Sequence, residues 1–306
     1  MAQTSKIDFS SKFNQGFKKY GMGTLFILPF LIFFVVYTLL PVVISVGLSF
    51  TNYDMLQIPQ FIGITNYRQL FLEDELFLLA LKNTLIFAVI CGPTGFLASF
   101  FMAWIINKLK HKSIFSLAFY APSITSGIAM SVVWLWIFSP DRYGFINNIL
   151  IQYGFITSPI LWSQNKATIM PVIIIIQIWM SMGTGFLVFL AGLQNLQSEL
   201  SEAGKIDGVK NGFQDLLYIV LPQLKPQLLF GAISSIVAAF SVFEIAVGFA
   251  GFPSPNDSAH TVVGHLYDYA FKRFEMGYAS AVSVVLFFIT FALGRYFMRV
   301  LSSKGE

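Results

Sequence analysis

Charge is what this 306-residue sequence has least of: Asp, Glu, Lys and Arg together make up 11% of it, against roughly 25% in an ordinary soluble domain. That depletion, with 56% hydrophobic residues and a mean hydropathy of +0.71, excludes a water-soluble globular fold and places the chain in a bilayer. One cysteine, Cys91, excludes an internal disulfide framework. It lies in an apolar run and reads as a small buried hydrophobe. No G-x-x-x-x-G-K-[ST] phosphate loop occurs, so ATP hydrolysis by this chain is not expected. Gly183-Thr184-Gly185 lies inside an apolar run and lacks the third glycine of a nucleotide fingerprint. His260 and His265 are close in sequence, but no cysteine or compact acidic cluster accompanies them, so no metal site is expected. The net charge of +4 does not imply nucleic-acid binding, because in a membrane chain the placement of basic residues carries the information.

Six apolar runs are each long enough to cross a hydrocarbon core, which takes about 20 helical residues for ~30 Å. They are Thr24–Phe50, Thr84–Ile106, Ile114–Phe138, Ala167–Leu193, Leu228–Phe249 and Gly277–Phe297. The first is too long for a cleaved signal, whose apolar core is about 7–15 residues. Barrel strands would be about 10 residues and alternate in polarity. The expected fold is therefore an all-α polytopic membrane protein, a bundle of six transmembrane helices. A first segment, residues 1–23, precedes a membrane domain of residues 24–306. Pro29, Pro41, Pro93, Pro122 and Pro171 fall within these runs, where neighbouring helices can satisfy the freed backbone groups.

Basic residues divide the connections. The amino terminus, the Lys108–Lys112 turn, residues 198–226 and the carboxyl tail hold 13 of the 19 Lys and Arg. The other side holds Arg68, Lys82, Arg142, Lys166, Lys272 and Arg273. The richer side is expected in the cytoplasm, with both termini. The acidic stretch Leu72–Leu76 and a long loop, Ala250–Met276, then face outward.

The polar loop 198–226, between the fourth and fifth runs, is unusual for a chain that merely sits in lipid. Ser198–Gly208 is helix-compatible, with Glu199 and Glu202 in its first turns, where carboxylates meet the positive end of the dipole. Leu196, Leu200, Ala203 and Ile206 make one apolar stripe, and Gly208 sits where a left-handed residue ends a helix. Phe213, Leu216, Leu217 and Val220 are expected to pack back on the membrane surface, and Leu221-Pro222 and Pro226 to break the helix before the fifth run. Glu199, Glu202, Asp207 and Asp215 outweigh its three lysines. Anionic lipid would not attract such a helix; a basic groove on a protein partner would.

Glu202-Ala203-Gly204, Asp207-Gly208 and Leu221-Pro222 carry a resemblance to the membrane subunits of binding-protein-dependent ABC importers, in their carbohydrate branch. The family pattern is Glu-Ala-Ala, three residues, Gly, then a downstream Leu-Pro; Gly204 stands where the second Ala is usual. "FIGITNYRQLF", "LKNTL", "FYAPSITSGIAMSVVWLWIF" and "YDYAFKRFEMGYASAVSVVLFFI" also look like segments of sugar permeases, of the maltose- and glycerol-phosphate-transporter type of first permease subunit. The resemblance implies a second homologous permease, two ATPase subunits that bind ATP and Mg, and an extracytoplasmic solute-binding protein delivering sugar at a bacterial cell membrane. It implies no cofactor in this chain and makes Ser198–Gly208 a coupling helix, with Glu199, Glu202, Ala203, Gly204, Asp207, Gly208, Leu221 and Pro222 in the ATPase-coupling region.

Sugars are recognised by aromatic faces and by amide and hydroxyl groups, which singles out Gln177, Trp179, Ser235, Phe240 and Ser241 in the apolar runs. Glu244 is the one acid inside a run. It lies about 17 residues in, or ~25 Å at 1.5 Å per residue, near the outer surface, as part of the path or as a structural acid. An ion-coupled secondary transporter would favour paired intramembrane acids and an internal repeat, and neither is evident. An ABC importer of a non-sugar solute stays compatible with the loop.

Overall fold

A computed structural model describes residues 25–302. The segment 1–23, with Lys6, Lys12, Lys18 and Lys19, and Lys304 lie outside the described residues. The described residues are almost wholly helical, and a single antiparallel bridge pairs Thr51 with Phe61. Four helices are long and apolar enough to cross a membrane, or up to six if each of two sharply bent pairs counts once. The chain is a multi-pass membrane protein.

The first helix, α1 (Leu25–Leu48), buries no residue over its first half. Near its middle, Val35–Leu39 form a π turn. Pro41 explains it: with no N–H to give to residue 37, the ladder slips by one residue before the proline. A short α2 (Thr65–Leu72) follows. Asn66 Nδ2 donates to the carbonyls of Ser49 (2.9 Å) and Thr51 (2.8 Å) and ties α2 to the end of α1.

The central element is α3 (Glu75–Asn107), capped by Asp74, whose Oδ1 accepts from Phe77 N at 2.8 Å. It begins well before the expected Thr84. Its 33 residues reach about 50 Å at 1.5 Å per residue, longer than the ~30 Å thickness of a hydrocarbon core. The expected straight span Ile114–Phe138 is instead two helices, α4 (Lys112–Ile124) and α5 (Gly127–Ile137), bent by 104°. Pro122 weakens the end of α4, and Ser126 Oγ accepts from Ala129 N to start α5 anew. After α6 (Phe145–Gln152) come α7 (Lys166–Met180) and α8 (Thr184–Gln194), which form one candidate span interrupted at Ser181–Gly183.

The polar loop folds as α9 (Ser198–Ile206) and α10 (Gly212–Gln223). A turn at Leu224 bends the chain by 83° into α11 (Lys225–Phe240), with Pro222 and Pro226 at the starts of helical turns. The fifth run is broken again at Ser241–Phe243, before α12 (Glu244–Ala250). The expected loop Ala250–Met276 is a folded cap rather than an open connection. It holds α13 (Val262–Tyr267), extended by a π turn to Lys272, and buries Ser254, Ser258, His260 and Thr261. The last helix, α14, runs Met276–Ser302.

Helix α3 packs against α7, α8, α11 and α13. Toward one end, Phe87 and Cys91 bury with Ile173 of α7 and Phe249 of α12. Toward the other, Phe100 and Ile106 bury with Phe189 of α8 and with Leu216, Val220 and Leu224. Leu216 and Val220 therefore pack into the bundle, not back on the membrane surface as expected, because this cluster offers them more apolar contact than an interface does. Phe213 and Leu217 stay exposed along an apolar groove between α3, α10, α11 and α14.

Candidate functional site

Helix α9 stands at one end of the bundle. Glu199 in its first turn and Lys205 in its last both complement the dipole. Gly208 takes a φ of +100°, which only glycine adopts readily. Its N–H donates to the Lys205 carbonyl (3.4 Å), and that of Val209 to the Gly204 carbonyl (2.9 Å). This paired closure satisfies two of the helix's last carbonyls. Glu199, Glu202, Ala203, Asp207 and Gly208 are exposed. The apolar stripe divides: Leu196 packs with the Phe100–Leu224 cluster, while Leu200 and Ile206, 44% and 88% exposed, are uncovered. A surface mixing acids with uncovered apolar side chains suits a protein groove. Leu221 is half-buried in the same cluster, and Pro222 is exposed beside it. Lys108, just past the end of α3, reaches toward Gly212, so the basic turn and the polar loop share one end.

Farther up the bundle, the breaks at Thr125–Ser126 and Ser181–Gly183 flank a cavity of about 240 Å³. Gln177 and Ser235 line it, with Ser123, Ser181, Thr184 and Ser234. The structure thus brings two of the proposed sugar-path residues together and adds four hydroxyls that sequence reasoning missed. Their signal was faint, because serines and threonines beside glycine in an apolar run usually mark helix packing. The other proposed residues lie elsewhere. Trp179 packs edge-on against Trp134, 5.3 Å between ring centroids. Phe240 is buried beside Ala88 and Ala239. Ser241 is exposed at the end of α11. Glu244 Oε2 accepts from Gly127 N at 2.9 Å, so this carboxylate caps α5 at the 104° bend and joins the two broken runs.

The end of α3 away from α9 is held by a buried polar knot that the sequence did not reveal. Asp74 Oδ2 accepts from the hydroxyls of Tyr278 (2.7 Å) and Tyr269 (3.1 Å). His265 Nε2 lies 3.2 Å from the same oxygen, and His265 Nδ1 lies 3.2 Å from His260 Nε2. Both imidazoles are buried. Burial pushes His265 down to about 4 and lowers His260. Burial alone would raise the Asp74 carboxyl, but the Tyr278 hydroxyl, the Phe77 amide and His265 hold it below its usual range. Asn83 Nδ2 donates to the His260 and Asp257 carbonyls, and Thr84 Oγ1 accepts from Val262 N. Asn83 and Thr84 thus tie the cap to α3 through its backbone, and the histidine pair adds a side-chain link to Asp74. At the same end, fully buried Asn147 gathers residues 139–162. Its Nδ2 lies 3.0–3.1 Å from the carbonyls of Ser139, Asp141 and Ile160, and its Oδ1 accepts from Ile160 N and Trp162 Nε1.

No family model matches the chain. Curated relatives do. A probable ABC transporter permease protein, YesP, of Bacillus subtilis is 36% identical over 270 residues, 87% of this chain and 86% of that protein. The arabinooligosaccharides transport system permease protein AraP of the same organism is 33% identical over 296 residues, 95% of this chain and 92% of that one. The lactose transport system permease protein LacF of Rhizobium radiobacter is 32% identical over 269 residues, 86% and 88% of the two chains. In fold, the chain matches a subunit in a crystal structure of a bacterial ABC transporter involved in import of the acidic polysaccharide alginate. The TM-score is 0.80 at 20% identity, over 96% of this chain and 100% of that one. The chain belongs to the sugar permease family of ABC transporter membrane subunits.

Proposed function

We propose that this protein is one membrane half of an ATP-driven importer of an oligosaccharide or glycoside, and that α9 is its coupling helix. The observation that carries the reading is α9 itself: a closed, glycine-terminated helix presenting Glu199, Glu202, Leu200 and Ile206 outside the bundle. In this reading the bent pairs each count as one span, giving six in residues 24–306, with both termini and α9 in the cytoplasm. A second homologous permease completes the path, two ATPase subunits bind ATP and Mg, and a solute-binding protein delivers sugar from outside. Closure of the ATPases draws the coupling helices together and turns the cavity outward, a rigid-body switch between two packings.

The cavity at the broken helices supports a path for a neutral, hydroxyl-rich solute, since its mainly apolar wall carries one amide and several hydroxyl groups and no charged side chain. At about 240 Å³ it is below the roughly 300–1,000 Å³ of small-molecule pockets, so the facing subunit must complete it. The capping bond of Glu244 weighs against an ion-coupled mechanism, which needs a carboxylate free to exchange its ion.

Transport into vesicles carrying the assembled subunits tests the reading. Uptake is expected to require ATP and to survive an uncoupler. Glu202→Lys and Gly208→Val are expected to abolish it while the protein still reaches the membrane. Full uptake by both variants would overturn the coupling role of α9.

A further inference from the structure

We infer that Ile219 is the positioning residue through which α9 drives the bundle, its Cδ1 methyl seated in the gap left by the missing side chain of Gly204. The inference rests on the coupling reading of α9 and names the contact that would transmit the movement.

A Cβ added to Gly204 would collide with Ile219 Cδ1 and lie 3.5 Å from Val209 Cγ2. The methyl thus occupies the place of an alanine side chain on α9, flanked by the residue that closes the helix. The principal packing partner of α9 among the helical elements is the turn Leu216–Val220. That turn is π-helical and ends at Val220, two residues before Pro222. A proline with no N–H forces the slip, and the extra residue widens the turn. The faces then separate. Leu216 and Val220 are 2% and 5% exposed, seated among Phe100, Phe189 and Leu193, while Ile219 is only half-buried and meets α9. One five-residue turn is thus anchored in the core on one side and touches α9 on the other.

The geometry explains why glycine stands at position 204. Intrinsic propensity favours alanine in a helix by about 1 kcal/mol, but an alanine methyl here would fall on Ile219 Cδ1, so the end of that side chain would have to leave its seat on α9. The two positions form a complementary pair, so a change at one is repaired by the opposite change at the other.

The test is a double-mutant cycle in the reconstituted importer: this chain, the second permease, both ATPase subunits and the binding protein. Ile219→Val removes only the Cδ1 methyl, and Gly204→Ala fills the gap. Gly204→Ala alone is expected to lower sugar uptake roughly tenfold, as overpacking does, with the ATP hydrolysed per sugar moved rising in step. Ile219→Val alone, which leaves the gap empty, is expected to raise the same ratio less. The double variant is expected to regain most of the wild-type uptake and ratio. Membrane protein level, measured for every variant, separates loss of folding from loss of coupling. If the double variant is as poor as Gly204→Ala, or if Gly204→Ala transports normally, the Ile219 contact is not the transmitting one. If wild-type uptake ignores ATP and the Glu202→Lys change, the coupling reading itself fails.

Discussion

The carboxylate of Asp74 and the imidazole of His265 meet 3.2 Å apart at the end of α3 farther from α9. Neither is at the surface: side-chain exposure is 9% for Asp74 and 0% for His265. The pair joins the cap of a 33-residue helix to the segment that closes the bundle over it. Tyr269 and Tyr278 already hydrogen-bond the same carboxylate oxygen.

This knot makes stability depend on pH. His265, pushed down to about 4, and His260, lowered from 6.5, stay neutral in the folded protein where the unfolded chain takes up protons. Unfolding therefore binds protons below 6.5, and stability is full above that value and lost progressively as pH falls toward about 4. Asp257, Asp268 and Asp74 oppose the shift of His260, and Arg273 adds to it. Asp74 adds a further loss as pH falls through its own depressed pKa. The thermal midpoint in detergent is expected to drop between pH 7 and pH 5 by more in the wild type than in His265→Gln, which removes one titrating imidazole. Equal slopes would show that His265 does not titrate on unfolding.

Asn147→Ala strips five interactions from a fully buried site and leaves Trp162 Nε1 without its acceptor. Each buried polar group left unpaired costs about 1–3 kcal/mol. The variant is expected to lose at least 3 kcal/mol, about what two such groups cost, and hydrogen exchange is expected to accelerate over residues 139–162. Unchanged exchange there would count against Asn147 as the organiser of the segment.

Glu244 separates charge from capping. Glutamine keeps an oxygen for Gly127 N, and alanine does not. Glu244→Gln is expected to be near wild type in stability and uptake, and Glu244→Ala to lose about 1–3 kcal/mol. A glutamine variant that folds normally but fails to transport would show that the negative charge itself is needed.

The membrane class and the family were legible in the sequence. Long apolar runs and the spacing Glu202-Ala203…Gly208 are local signals, and the relatives agree with the family they imply. Helix breaks were less legible. Ile114–Phe138 carries no charge and its mean hydropathy stays high, so hydropathy passes over a 104° bend that is capped by Glu244, 117 residues away in sequence. The polar knot was hidden for the same reason. Asp74 looked like part of a solvated acidic patch, and His260 and His265 like two unaccompanied imidazoles, because their partners come from α3, α13 and α14. Gly204 looked like a small departure from a pattern; only the position of Ile219 gives it a cause.

Two of the helices carry the same device. Val35–Leu39 and Leu216–Val220 each hold five residues in a widened turn just ahead of a proline. A coil with one surplus peptide points everything beyond it in a new direction, and a proline that cannot rejoin the regular ladder keeps it so. The bearing of α10 is therefore set at Pro222: the same five residues turn Leu216 and Val220 inward and leave Ile219 facing α9.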